Sequence, residues 1–374
     1  MRFYVKEWDE VILVSVLLLY IIGLVNIASA SLVGVAFLKF NFALYKKLIL
    51  QVVAGILGFL LAFALTKFDY EKLKNPKFIY SIITLNMFLL IVVLVIKYAR
   101  HMPVNRWLFG TSLQVSEFSK IISIVFLAYY ISRKGEVSGT RELGFASFII
   151  ALQSFLIFLE PDRGSAIFLL FIGFIMLWIG NAPPKVLYPT LVVFAILGMI
   201  FLFLKTGSNY VEGRFVAWLN PFAKANTKGY QIIQSLFAFA HGKLLGVGIG
   251  EGIQKEGYLP EIDTDYALAL IGEEWGFLGV LFVVFLYGGL VYRIFKISDF
   301  AEDTFGKLIA FGIGMYIAIE SIWNMMMAMN LIPSKGIALP FISYGSSNLL
   351  ANLIAIGLVM SVYRKEKKPW KRLS

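Results

Sequence analysis

Cysteine is missing from this 374-residue chain, which excludes disulfides, iron–sulfur clusters and thiolate metal sites. Histidine is nearly missing as well: His101 and His241 are the only two, far apart, and they argue against a histidine-rich zinc site. Charge is the third scarcity. Charged residues make up 15% of the sequence against 59% hydrophobic, with a mean hydropathy of +0.80, whereas about a quarter of a soluble domain is charged. An ordinary soluble domain is excluded. No cleavable signal peptide is expected, because Met1 to Glu10 is charged and the first apolar run is too long for one.

What the chain does have is long apolar runs without alternation. A bilayer-crossing helix needs about 20 such residues, and closing backbone hydrogen bonds inside lipid leaves only helices or barrels. The pattern predicts an all-α integral membrane protein, one polytopic domain over 1–374 with about ten transmembrane helices. The spans fall near 11–33, 48–66, 78–97, 117–132, 143–159, 164–181, 186–205, 265–292, 308–330 and 347–363. An even number places both termini on one side, and 19 of the 34 Lys and Arg lie on that side. The positive-inside rule then predicts a cytoplasmic (inner) membrane protein with both termini cytoplasmic. The basic tail, 364–374, reads as a positive-inside anchor rather than a specific lipid or protein site. Topology accounts for much of the net charge of +11, so no nucleic-acid binding is inferred.

One connection, 206–264, is far longer than ordinary loops, and such loops are functional or disordered. Aromatic and apolar residues throughout (Phe215, Trp218, Phe222, Tyr230, Phe237) predict a large structured extracytoplasmic loop between helices 7 and 8, with an amphipathic helix around 230–240. The glycine series Gly246, Gly248, Gly250 and Gly252 lacks the strand-to-helix context of a nucleotide site. Close backbone turns beside a ligand or helix explain it better.

Immediately after that series, Glu261, Asp263, Asp265, Glu273 and Glu274 place five carboxylates within fourteen residues at the mouth of an apolar helix. Ionisable residues are expensive there and point to chemistry or ion binding. Asp265 reads either as a catalytic carboxylate or as a helix N-cap, a role shared with Thr264. Asp263, two residues away, is expected to raise the pKa of whichever acid is more buried. By helical geometry Glu273 lies roughly 80° from Asp265 and could support the site, whereas Glu274 lies nearly opposite and is expected to bond a neighbouring helix. Glu117 and Lys120 share a helix face at the outer end of the fourth span. They read as a mutual ion pair or as the polar lining of a groove. Asn324, Asn348 and Asn352 are expected to join helices. Arg106, Lys120, Arg214 and Lys255 are cations on the outer side that can meet an anion. No metal-ligand motif stands out, although Glu261, Asp263 and Asp265 could hold a divalent magnesium or manganese ion.

Several stretches together resemble one family. They are Gly229-Tyr230-Gln231, Gln254-Lys255, Tyr258-Leu259-Pro260-Glu261, Thr264-Asp265 and Ile271-Gly272-Glu273-Glu274. Others are Arg106-Trp107, Gln114-Val115-Ser116-Glu117 with Lys120, Glu160-Pro161-Asp162, Pro333-Ser334-Lys335-Gly336, and Leu339 through Ser347 including Ser343. This resembles the signature of the SEDS glycosyltransferases of shape, elongation, division and sporulation, in order from the first span to the last. The resemblance implies polymerisation of lipid II onto a lipid-linked glycan at the outer leaflet, with release of undecaprenyl diphosphate. It implies Asp265 as the catalytic aspartate, a general base, and Arg106, Trp107, Glu117, Lys120, Arg214, Lys255, Glu261, Asp263, Lys335 and Ser343 as substrate-binding residues. A class B penicillin-binding protein and other divisome proteins are the implied partners. Both lysine-bearing stretches, at Lys255 and Lys335, resemble the division branch more than the elongation branch. Departures from the family pattern are Asp263 for histidine, Val115 for proline, Glu160 for glutamine and Ser346 for glycine.

Two readings of another class compete. A lipid II flippase would also need many spans and buried charge, but the chain shows no internal repeat and its acids gather on one side rather than at the midplane. A pure scaffold would not need the external acids.

Overall fold

Apolar helices packed around a few polar ones make up the fold. The computed structural model describes residues 9–31, 42–101, 106–108, 113–133, 140–203, 208–227 and 229–370. In chain order the helices are α1 (Glu10–Ser31), α2 (Phe42–Lys67), α3 (Pro76–Ala99), α4 (Val115–Ser132), α5 (Thr140–Leu159), α6 (Arg163–Ile179), α7 (Pro184–Phe203), α8 (Ser208–Leu219), α9 (Tyr230–Gly242), α10 (Ala267–Glu274), α11 (Gly276–Phe300), α12 (Thr304–Ala328) and α13 (Ser346–Trp370). Among the described residues, eight helices are long and apolar enough to cross a membrane, and Arg163–Ile179 and Pro184–Ile200 are shorter apolar helices. The protein is an all-α membrane protein, as its composition predicts.

Polarity sorts the helices into layers. Of the eight long spans, α4, α12 and α13 are the most buried, and they carry the intramembrane polar residues Ser116, Glu117, Ser119, Lys120, Glu320, Asn324, Asn348 and Asn352. α2, α3, α7 and α11 instead expose Ile56, Leu60, Phe88, Val192, Ile196, Phe277 and Phe285, side chains that need no polar partner in lipid. α13 packs along α2, α11 against α12, and α12 against α4. Between α7 and α10 the chain is folded: α8, a 3-10 turn at Pro221–Lys224, and α9. The amphipathic helix expected near 230–240 is α9, whose Ile232, Ile233, Ser235 and Ala238 are buried.

The expected continuous span 265–292 is instead two helices, α10 and α11, broken at Trp275 and Gly276. Gly276 has φ +70°, and a Cβ there would lie 2.3 Å from the Gly246 nitrogen; a Cβ on Gly246, φ +82°, would lie 2.2 Å from the Glu274 carbonyl oxygen. Only glycine fits both positions. Backbone groups freed by the break find partners in the glycine-rich segment: Val247 N–H donates to the Glu273 carbonyl (3.0 Å), Gly248 N–H to the Glu274 carbonyl (3.1 Å), and Phe277 N–H to the Lys243 carbonyl (2.9 Å). The glycine series therefore serves close backbone approach to a broken helix, since irregular backbone at such a place must be paired by protein.

Substituting Gly276 with Ala should strain this junction by about 1–3 kcal/mol. A lowered Tm of the detergent-solubilised protein checks it; an unchanged Tm would show that the junction relaxes freely.

Candidate active site

A cavity of about 710 Å³ opens among α2, α4, α6, α12 and the segments 261–265 and 336–348. Of the sequence candidates, Asp265, Glu117, Lys120, Glu261, Arg106 and Trp107 line it, joined by Lys46, Gln114, Asp162, Glu320 and Asn348. Its floor is ionic. Lys120, whose side chain is 3% exposed, donates to Glu117 Oε1 (2.9 Å) and to Glu320 Oε1 (2.6 Å). Glu117 Oε2 accepts from Asn348 on α13 (2.7 Å), and Asn348 in turn is held by Asn352. The Glu117–Lys120 ion pair and the polar lining are both present, in one constellation.

One wall is the start of α6. Asp162 caps the helix through Ser165 N–H (3.2 Å) and accepts from Gln114 Nε2 (3.0 Å) and Ser116 Oγ (3.1 Å). Burial pushes its carboxyl up, but Arg106, Lys120 and the Ser165 bonds outweigh burial and hold it below the usual carboxylate range. Arg106 Nη2 donates to the Pro161 carbonyl (2.7 Å). Beside it Glu160 is fully buried, and neither carboxylate oxygen has a hydrogen-bond partner among the described residues. Burial first, and Asp162 second, push its pKa up to about 9 against the pull of Arg106 and Lys97.

Asp265 also lines the cavity. Asn324 on α12 donates to the backbone oxygens of both Asp265 and Ile337 (2.8 Å each), tying the two segments together. A Cβ on Gly336 would sit 2.5 Å from Asp265 Oδ2, so the backbone passes directly over the carboxylate. The helix that follows is capped at Tyr266 without a side-chain bond, so Asp265 is not its N-cap. Glu261, exposed at φ +58°, accepts from Thr264 Oγ1 (2.8 Å).

Other candidates lie elsewhere. Asp263 turns to Lys47 on α2 (2.5 Å) rather than toward the cavity, so its charge is paired by Lys47 instead of facing Asp265. Glu261, Asp263 and Asp265 form no common donor set, and among the described residues no three His, Cys, Asp or Glu side chains gather as metal ligands. Lys255 is buried against Ser29 Oγ (2.8 Å), Glu274 Oε1 (3.0 Å) and the Gly250 carbonyl (2.5 Å), away from the cavity. Glu274 bonds Ser29 on α1, a neighbouring helix as expected, while Glu273 accepts from Ile253 N–H (3.0 Å) and Gln254 N–H (3.2 Å) and anchors the loop. Ser343 does not line the cavity; its Oγ donates to the Thr264 carbonyl (2.6 Å), bracing the Asp265 segment. Lys335 Nζ donates to the Arg163 carbonyl (3.1 Å) beside the wall. The Arg214 side chain lies outside the described residues.

Sequence reasoning passed over Glu320, Asp162 as a lining residue, and Lys46. Glu320 carries a readable signal, a lone acid inside an apolar span.

Helices that enclose a polar, ion-lined cavity define a multi-pass membrane protein. A family model described as cell cycle protein, covering FtsW, RodA and SpoVE, matches residues 9–368, and the chain belongs to that family. A relative from Trichlorobacter lovleyi, "Probable peptidoglycan glycosyltransferase FtsW", is 36% identical over 96% of this chain and 94% of its own length. One of the same name from Bacillus subtilis is 34% identical over 97% and 93%. Among solved structures, a peptidoglycan synthase complex that coordinates polymerization and crosslinking aligns with TM-score 0.73 at 24% identity, covering 96% of this chain and 98% of that one. The rod shape determining protein RodA of Thermus thermophilus aligns with TM-score 0.65 at 23% identity, covering 98% and 99%. These likenesses carry the fold.

Glu160 gives a pH test. Its unfolded pKa is about 4.3 and its folded value about 9, so its contribution is full below about pH 4.3 and is lost as pH rises toward 9, at no more than about 1.4 kcal/mol per unit. Glu160→Gln should flatten the fall in Tm between those limits. An identical slope in the variant would place the proton elsewhere.

Proposed function

We propose that this protein polymerises lipid II into peptidoglycan glycan strands, with Asp265 as general base. The observation that carries the reading is the meeting of Asp265 with Glu117, Lys120 and Arg106 around one cavity, in a chain whose relatives are named as peptidoglycan glycosyltransferases. An alcohol is a poor nucleophile until its proton is removed. Asp265 takes the proton of the acceptor GlcNAc 4-hydroxyl as that oxygen attacks the anomeric carbon of the lipid-linked glycan. The bond from that carbon to the diphosphate breaks, and undecaprenyl diphosphate leaves. Arg106, Lys46 and Lys120 offset its developing charge, Arg106 through a fork and the lysines as point charges. Trp107 offers an exposed aromatic face to a sugar ring, and Glu261 a hydrogen-bond acceptor.

The setting follows the same resemblance. Both termini lie in the cytoplasm of a cytoplasmic (inner) membrane and the cavity opens outside. Chain 206–264 forms the loop that completes the site on one polytopic domain. The role is septal, and the names of the relatives favour it over elongation. A class B penicillin-binding protein cross-links the strands as partner within the divisome.

Asp265→Asn should abolish strand formation from labelled lipid II, in detergent and with the cognate transpeptidase, while leaving Tm and partner binding intact; full turnover would exclude general-base catalysis there. Gly336→Ala, which must displace the Asp265 carboxylate, should cut kcat by roughly 100-fold with a smaller effect on KM. Gels of glycan strands read both.

A further inference from the structure

The N-terminal end of α2 presents two adjacent faces to the site. Lys46 and Leu50, one turn apart, line the cavity. Lys47 and Gln51, the next residue along in each turn, point to a different task. Lys47 Nζ donates to Asp263 Oδ2 (2.5 Å) and lies 5.5 Å from the centre of the Tyr344 ring, while the Tyr344 N–H donates to the Asp263 carbonyl (2.8 Å). Gln51 is buried; its Nε2 donates to the Ser343 carbonyl (3.2 Å) and its Oε1 accepts from the Gly345 N–H (3.2 Å). Ser343 Oγ then donates to the Thr264 carbonyl (2.6 Å). Residues 263–264 and 343–345 are thereby fastened to one face of α2. Asp265 follows Thr264 directly, and Asn324 holds its backbone oxygen from α12 (2.8 Å). Displacing the 263–264 turn therefore displaces Asp265 with it.

We propose that Lys47 and Gln51 are positioning residues that set the place of Asp265 in the cavity, and that Asp263 is the acidic half of this grip. Gln51 supplies a neutral, buried contact with fixed geometry. Lys47 supplies a charged contact that is half exposed. Neither Lys47, Gln51 nor Asp263 lines the cavity, so the grip reaches the reaction only through the turn that carries Asp265. Its loss should misplace the base rather than weaken the hold on substrate. The kinetic consequence rests on the polymerase reading above; the placement of Asp265 does not.

The Lys47–Asp263 pair is the place to test the grip, because a half-exposed ion pair adds little to global stability, whereas a Gln51 variant leaves buried groups unpaired and endangers folding. Lys47→Asp sets two carboxylates against each other and Asp263→Lys two ammonium groups. Each single variant of the full-length protein should lower kcat for strand formation roughly tenfold, with Tm and the KM for lipid II nearly unchanged. Combining them restores an opposite-charge pair and should return kcat to within about threefold of wild type. A double variant no better than the product of the singles overturns the proposal, as does a loss carried by KM or one that tracks a fall in Tm. Because the chain has no cysteine, placement can also be read without turnover. Gly336 covers the carboxylate of Asp265, so the maleimide labelling rate of Asp265→Cys should rise severalfold when Lys47→Asp loosens the turn, and fall back when Asp263→Lys is added. A rate indifferent to Lys47→Asp overturns the grip whether or not the protein makes strands. If wild type makes no strands, the polymerase reading fails, and the labelling rates still decide the grip.

Discussion

Everything around the cavity depends on keeping a lysine charged inside an apolar bundle. Lys120 is nearly inaccessible and survives because Glu117, one turn earlier on the same helix, and Glu320, from a helix distant in sequence, both accept from it. An uncompensated ammonium there would be several kcal/mol out of balance. α4 and α12 must therefore lie side by side in one register. Asn348 extends the demand to α13 by donating to the free oxygen of Glu117. Three helices are locked by one charge, and these three are the most deeply buried of the long spans.

A second constraint operates on backbone groups. Breaking a helix inside a membrane protein frees amide groups that lipid cannot satisfy, and the break at Gly276 is tolerated because residues 243–248 return to pair with them. Glu273 and Glu274 continue the seam by binding the amides of Gly252, Ile253 and Gln254. Lys255 completes it from the loop side and draws in Ser29 of α1. The charges at 255, 273 and 274 thus hold the folded loop against the bundle. Ser343 and Asn324 then brace the Asp265 segment, the first from below its backbone at Thr264 and the second at Asp265 itself.

Much of this architecture was legible in the chain. Long apolar runs give helices because lipid admits little else, and the amphipathic spacing of 230–240 gives α9. The glycines between 246 and 252 announced a close approach, although not its target. The site was legible in part. Asp265, Glu117, Lys120, Arg106, Trp107 and Glu261 were singled out and do share a cavity. Lys255 looked equivalent to them in sequence, and its local spacing gave no sign that Glu274 and Ser29 claim it. Asp263 stood beside Asp265 in sequence, but the turn sends its side chain to Lys47 on α2.

Sequence by itself determined the class, because composition decides which solvent surrounds a helix and apolar length decides whether it can span. It also determined which ionisable residues are present, each costly enough in that setting to mark a site. Tertiary structure alone decided their partners. Glu320 lies 200 residues from Lys120 in the chain, and no local spacing or periodicity encodes that meeting. Burial and charge neutrality are properties of the assembled bundle, so the neutral, structural or reactive character of each carboxylate was fixed only when the helices closed around it.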